Sequence, residues 1–221
     1  RIAGQIQHGK TLAAARTLPS GRIRVTFTDG RTAEHDAVVL TVPFSVLRNV
    51  DLTGLGLPAW KTQAIQTLGY GDNAKLIIGF QRPYWRGLGC NGSAYADLAN
   101  IQATWETNPT RATSKQAVLT DYASGARGKH LNQLPLSQLL PRVIADLEQV
   151  LPGATQYVSR ASGTYLAHLE HWPSNPLTRG SYTCYLPRQF TSIGGNEGKP
   201  VGNTFFAGEH ANSFYESQGF L

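Results

Sequence analysis

Hydrophobic and polar positions alternate over Arg22 to Thr28 (RIRVTFT), placing Ile23, Val25 and Phe27 on one face. Period-two alternation predicts a half-buried strand. Asp29-Gly30 follows as a hairpin signal, and Arg31 to Asp36 is the expected return strand. Ala37 to Val42 (AVVLTV) is continuously apolar and β-branched, the pattern of a strand covered on both faces, and Pro43 ends it. A shorter strand is expected over Lys10 to Ala15, after an irregular or helix-ending stretch at 1–9. Ala59 to Leu68 predicts a helix with Trp60, Ala64, Ile65 and Leu68 inward. A turn at Gly69 to Asp72 leads into a buried strand, Ala74 to Phe80 (AKLIIGF), closed by aromatics at 83–85.

Further along, 86–100 reads as glycine-rich loop, and Ile101 to Thr107 and Ala117 to Tyr122 read as strands around a polar hairpin. Ser124 to Leu134 is a polar connection. Ser137 to Leu151 is the clearest helix: Leu140, Val143, Ile144, Leu147, Val150 and Leu151 share a face, with Pro141 in its first turn and Pro152-Gly153 as its stop. Strand segments are expected over Thr155 to Ser159 and Ser162 to Leu169, then a rigid loop from Glu170 to Gly180. The stretch Ser181 to Leu186 is aromatic-rich, and 193–203 is rich in glycine. A last strand, Phe205 to Ala207, breaks at Gly208-Glu209-His210, and Gly219-Phe220-Leu221 stands where a helix would begin. A buried strand that breaks at glycine and restarts at a helix N-terminus is how α/β proteins present backbone N–H groups to an anionic cofactor. The pattern therefore predicts a fold of α+β or α/β class. A mixed stretch at about 44–165 is inserted between two pieces, 1–43 and 166–221, that each carry a buried strand.

Composition narrows the function classes. Charged residues make up only 15% against 41% hydrophobic, which with 23 Gly describes a turn-rich globular chain rather than a disordered one. The net charge is +6, but the 20 Lys and Arg are scattered singly, so nothing points to nucleic acid. No apolar run reaches the roughly 18 residues of a transmembrane segment. Cys90 and Cys184 define neither a disulfide framework nor a zinc site, and are expected as buried thiols.

Candidate chemistry is sparse. His168 and Glu170 would share a strand face while His171 points away, and no third ligand stands at a familiar spacing, so no metal site is expected. No GxSxG elbow supports a hydrolase. Lys75 reads either as a strand-end lysine reaching solvent or as an amine buried beside a cofactor. Trp172, Tyr182 and Phe220 read either as core aromatics or as walls of a flat apolar slot.

Four blocks settle these choices by likeness: VVLTVPFSVL at 38–47, GDNAKLIIGFQRPYWR at 71–86, HWPSNPLTRGSYTCYLP at 171–187 and TFFAGEHANSFYESQGFL at 204–221. Together, and in this order, they resemble the C-terminal half of the flavin-containing amine oxidases, the group of monoamine, polyamine and L-amino-acid oxidases. The resemblance implies that 1–43 and 166–221 are the later parts of a Rossmann-like FAD domain and 44–165 most of a mixed-sheet substrate domain. It implies that Leu12 meets the adenine and that Val42-Pro43 end the strand beside the cofactor. Lys75 would hold a water against the flavin, Trp172 would pack beside it, and Tyr182 and Phe220 would form the two walls of an aromatic cage. Gly208 and Glu209 would line the phosphate and ribityl corner, and the helix starting near Gly219 would face the flavin. The implied reaction oxidises the C–N bond of an amine or L-amino acid, with O2 reduced to H2O2 and the imine hydrolysed.

The chain also departs from the family. Ser181 stands where monoamine oxidases attach FAD through cysteine, so the implied FAD is non-covalent. Phe220 replaces the commoner second cage tyrosine. The family's GxGxxG fingerprint has no counterpart, which implies a missing N-terminal half or a second chain, and a chain inactive alone. The alternative is a non-catalytic interaction module on the same fold.

Overall fold

The computed structural model describes residues 3–107 and 115–212. In chain order the elements are β1 (Leu12–Thr17), β2 (Ile23–Phe27), β3 (Thr32–His35), β4 (Val38–Leu40), α1 (Phe44–Leu47), α2 (Ala59–Thr67), β5 (Ala74–Phe80), β6 (Ala94–Tyr95), β7 (Ala103–Glu106), β8 (Ala117–Ala123), α3 (Gly125–Leu131), α4 (Leu136–Val150), α5 (Ala154–Tyr157), β9 (Arg160–Ala161), β10 (Thr164–Tyr165), β11 (Ala167–His171), α6 (Gln189–Ile193) and β12 (Thr204–Phe206). They form two compact units, residues 1–70 with 176–221, and residues 71–175. The divisions fall at 70/71 and 175/176 rather than at 43/44 and 165/166. Residues 44–68 stay with the first unit because Phe44, Leu47, Ala64, Ile65 and Leu68 share one core with Leu40, Ile193 and Phe206.

In the first unit β1, β2 and β3 make an antiparallel meander. Ile23, Val25 and Ala15 are buried against Leu55, as the alternation requires. The turn is closed by Gly30, at φ 80°, and by the Asp29 carboxylate, which accepts from Arg31 N at 3.0 Å. Strand β1 starts two residues later than the pattern implied, since Gly9 takes φ 69° and Lys10 reaches across to Asp29 at 2.6 Å.

β4 and β12 pair in parallel, with Val38, Val39 and Leu40 opposite Thr204, Phe205 and Phe206. The expectation of a strand covered on both faces is corrected here. Leu40 and Phe206 are buried, whereas their neighbours Val39 and Phe205 are 60% and 43% exposed. Helix α2 also turns differently from the reading: Trp60 is 37% exposed and Lys61 is fully buried. The Lys61 ammonium donates to the carbonyls of Asn196 (2.5 Å) and Glu197 (2.7 Å) and lies 4.0 Å from the Phe206 ring centroid. Hydrogen bonds and an aromatic face of this kind make a buried ammonium tolerable.

In the second unit five strands run in the order β11-β5-β8-β7-β6, every pairing antiparallel among the described residues. Ala74, Leu76, Ile78 and Phe80 of β5 face a core closed by Leu139, Leu140, Val143, Ile144 and Leu147 of α4. Pro141 is the sixth residue of that helix, one residue deeper than expected, where it forfeits a hydrogen bond to the Ser137 carbonyl. The polar stretch after β8 is helix α3 rather than loop. Tertiary contacts override its weak propensity: Leu131 is buried, and Arg127 donates to the carbonyls of Ala96 (3.0 Å) and Ile101 (3.1 Å). Residues 154–157 are a helical turn rather than a strand, because the Glu148 carboxylate accepts from the N–H groups of Gly153 and Thr155, both at 2.8 Å. β11 runs on through His171, into the stretch read as loop, and a short 3-10 turn, Trp172–Ser174, follows. Cys90 and Cys184 are free and exposed on loops, not buried.

Two predictions follow from packing in the second unit. A Cβ on Gly128 would lie 1.9 Å from the carbonyl oxygen of Asp72. Gly128→Ala is therefore expected to lower stability by about 2 kcal/mol or more, read as a fall in the urea midpoint, although alanine is the better helix former. Asp121 in β8 is buried, with Oδ1 accepting from Gln102 N (3.0 Å) and Ala103 N (3.2 Å) and Oδ2 unpartnered among the described residues. Burial pushes its carboxyl up to about 6, against the opposing pull of those N–H groups and Arg127. The folded-state pKa lies above the unfolded one, so the stability this group contributes is complete below about pH 4 and lost as pH rises through about 6. The melting midpoint of the wild type relative to Asp121→Asn should therefore fall between those values and stay flat outside them; a constant difference would contradict the assignment.

Candidate functional site

Because β4 and β12 are parallel, their carboxyl ends lie at the same edge, where ligands of α/β sheets bind. Val42 and Pro43 follow β4, and Gly208 and Glu209 follow β12. Pro43, three residues past the end of β4, starts α1, its carbonyl accepting from Val46 N (2.9 Å) and Leu47 N (2.8 Å). Gly208 has φ 113° and ψ 178°, a conformation that L side chains rarely adopt. A Cβ there would lie 3.1 Å from His210 Cε1 and 3.5 Å from the Thr41 carbonyl oxygen. The corner is thus a bare backbone turn, the form needed for close approach to a phosphate-bearing cofactor.

The Glu209 carboxylate does not face outward alone. Thr183 N donates to both its oxygens, at 3.0 and 3.3 Å, and Thr183 Oγ1 donates at 3.0 Å. Glu209 therefore ties the corner to the segment that carries Tyr182, whose side chain is 43% exposed. Behind the corner His210 is buried against Phe44, ring centroids 4.5 Å apart, with Nε2 unpartnered among the described residues. Burial, reinforced by the charge of Lys61, pushes its pKa down to about 4, so the imidazole is neutral at physiological pH. Ser181 Oγ is buried without a partner among the described residues. Leu12 opens β1, pairs with Phe27 and packs its half-buried side chain into the neighbouring cores rather than onto the strand ends. Gly219 and Phe220 lie outside the described residues.

The second unit carries the other candidates. In β5 the residues alternating with the core set are Lys75, Ile77 and Gly79, all half-buried on the opposite face. Lys75 stands in register between Tyr122 of β8 and Glu170 of β11. Among the described residues its ammonium has no ion-pair or hydrogen-bond partner. Tyr122 lies beside Trp105, ring centroids 6.2 Å apart, and Glu170 accepts from Asn175 Nδ2 at 3.2 Å and lies 3.4 Å from His168 Nε2. A groove of about 330 Å³, lined by Ile77, Gly79, Val118, Leu166 and His168 among others, continues along the strands. Trp172 follows β11 directly, its N–H donating to the Asn73 carbonyl at 3.3 Å beside the start of β5. His171 turns away from His168 and Glu170 towards Ser174 (2.7 Å), and no group of three metal-ligating side chains occurs among the described residues.

The structure thus brings together Val42, Pro43, Gly208 and Glu209 with the Tyr182 segment in one unit, and Lys75 with Trp172 in the other. Sequence reasoning missed Thr183, Lys61 and His210. The only local signal was a polar residue interrupting an apolar pattern, which does not say what it will bond.

Residues 3–218 match the profile of the flavin containing amine oxidoreductases. Polyamine oxidase 4 of Oryza sativa subsp. japonica is 30% identical over 192 residues, which cover 86% of this chain and 37% of that protein. The flavin-dependent L-tryptophan oxidase RebO of Lentzea aerocolonigenes is 29% identical over 230 residues, covering 96% of this chain and 45% of that one. Among solved structures, wild-type putrescine oxidase bound to putrescine superposes with a TM-score of 0.79 at 18% identity, over 94% of this chain and 44% of that one. Cyclohexylamine oxidase from Brevibacterium oxydans gives 0.79 at 16% identity, over 94% and 45%. The chain spans less than half the length of each of these proteins, and the structural likeness establishes its mixed α/β fold as theirs. No helix among the described residues is long and apolar enough to cross a membrane. Fold and profile agree over nearly the whole chain, and the chain belongs to the family of flavin-containing amine oxidoreductases.

Proposed function

We propose that this chain is part of an FAD-dependent oxidase that acts on the C–N bond of a small-molecule amine or L-amino acid, reduces O2 to H2O2 and leaves an imine to hydrolyse. The observation that carries the reading is the corner at the carboxyl ends of β4 and β12, where Gly208 takes φ 113° and a Cβ would lie within 3.1 Å of His210 Cε1. A backbone so exposed suits a dinucleotide held through its phosphates. Val42, Pro43, Gly208 and Glu209 would hold FAD there, with Leu12 at the adenine, Gly219 at the flavin-facing helix and Trp172 against the ring system. FAD, when bound, supplies the two-electron oxidation and the reaction with O2. Ser181 offers a hydroxyl where the covalent members of the family have cysteine, which favours non-covalent binding.

The remaining roles belong to side chains. Tyr182 and Phe220 would form an apolar slot that disfavours the protonated amine, since desolvation penalises the charged form. Lys75, a donor without an acceptor function and with no partner among the described residues, would hold a water on the sheet face. The exposed Val39 and Phe205 support a partner for this chain. Parallel strands are ordinarily covered on both faces, and a missing N-terminal half, or a second chain, would lie over them.

The intact protein is expected to carry FAD that is released on acid precipitation and to form H2O2 with an amine or amino acid. A protein that takes up no FAD would instead favour a non-catalytic module. Lys75→Met is expected to slow turnover about a hundredfold with FAD content unchanged, measured by stopped-flow flavin absorbance; wild-type rates of flavin reduction and reoxidation would remove Lys75 from the mechanism.

A further inference from the structure

We propose that Tyr70 is a positioning residue for Tyr182, clamping the 178–183 segment through its backbone, its ring and its hydroxyl. The inference rests on the reading of Tyr182 as a wall of the amine slot. Four contacts carry it, all within the first unit. Tyr70 forms an isolated antiparallel bridge with Thr183, extended by Cys184 N donating to the Gly69 carbonyl at 2.9 Å. The root of the Tyr70 side chain lies against Gly180, where an added Cβ would stand 2.5 Å from Tyr70 Cβ, 2.9 Å from Cγ and 3.1 Å from Cδ1. Its hydroxyl oxygen accepts from Phe44 N, the first residue of α1, at 2.9 Å. The Arg48 guanidinium lies 5.8 Å from the ring centroid and is itself anchored on the carbonyls of Ile65 (2.7 Å) and Leu68.

The clamped segment needs such a hold. Arg179 takes φ 49°, a left-handed conformation unfavourable for a residue with a side chain. Ser45 Oγ donates to the Thr178 carbonyl at 2.5 Å, so the same short helix α1 that caps Tyr70 also fixes the entry of the segment. Its exit is fixed by Thr183, which bonds Glu209 at the corner. Tyr182 stands between Gly180 and Thr183, and Tyr70 touches both. Gly180 is not among the glycines with positive φ, so its lack of a side chain is needed for the close approach of the Tyr70 side chain and not for the backbone.

A double-mutant cycle in the FAD-loaded oxidase tests this, with kcat/KM read from peroxide release on an amine substrate. Tyr70→Leu should lower kcat/KM about tenfold, and Tyr70→Phe, which keeps the ring, should recover most of the loss. The double variant Tyr70→Leu/Tyr182→Leu should be no worse than Tyr182→Leu alone. In parallel, tryptic cleavage after Arg179, followed by mass spectrometry, should be about tenfold faster in Tyr70→Leu than in the wild type. If Tyr70→Leu does not fold, Gly180→Ala, which presses on Tyr70 Cβ and Cγ and leaves the residue in place, should give both effects. Additive losses in the double variant, or unaltered cleavage after Arg179, overturn the proposal. If Tyr182→Leu alone leaves kcat/KM unchanged, the reading of Tyr182 as a slot wall falls, and cleavage after Arg179 still decides whether Tyr70 holds the segment.

Discussion

The parallel pairing of β4 with β12 is the constraint on which the rest of the first unit depends. Two three-residue strands, far apart in the sequence, meet in a single register. The ladder is too short to hold them by itself, since a net hydrogen bond is worth only about 0.5–1.5 kcal/mol. The apolar layer beneath does more: Leu40 and Phe206 are buried with Phe44, Leu47, Ala64, Ile65, Leu68 and Ile193, and each such side chain contributes about 1.5–3 kcal/mol on burial. Packing of α1 and α2 therefore fixes where the two strand ends emerge. The parallel sense then delivers both ends, Val42-Pro43 and Gly208-Glu209, to one edge.

Polar groups set inside that core complete the corner. Lys61 takes a buried position on α2 and joins the helix to residues 196–197, which precede β12. Burial lowers its pKa to about 8, with Glu197 opposing the shift, so the ammonium stays mostly charged at neutral pH. That same charge helps to hold His210 neutral, and a neutral imidazole can pack on Phe44 and against the Gly208 backbone without a counter-ion. The corner is packed among an aromatic ring, a neutral imidazole and a carboxylate already bonded to Thr183.

The elements legible in the sequence were those whose pattern and packing coincide. The 22–28 alternation, the Asp29-Gly30 turn and the apolar face of α4 emerged as read, because local propensity and burial favour the same state there. The misreadings share a cause. Helix α3 looked like loop because its stability comes from Arg127 bonding distant carbonyls and from Gly128 fitting under Asp72, neither visible in local composition. Trp60 and Lys61 were exchanged because hydropathy assigns the interior to tryptophan, while the available carbonyls assign it to lysine. The family blocks identified Lys75, Tyr182 and Gly208 as residues of interest, yet gave no hint of Tyr70 or Thr183, whose contacts are long-range.

The two candidate surfaces hold their side chains by different means. Lys75 lies on a strand paired on both sides, with seven consecutive partners in β8, and a one-residue slip would turn it into the core beneath α4. Its presentation is therefore secured by the same burial that stabilises the sheet. Tyr182 has no such support, because the segment from Thr178 to Thr183 is irregular and carries a left-handed arginine. An aromatic that must stand at a fixed angle on irregular backbone requires contacts that bypass the ladder. Gly180 against the Tyr70 side chain and Thr183 against Glu209 are contacts of that kind, one on each side of the residue they fix.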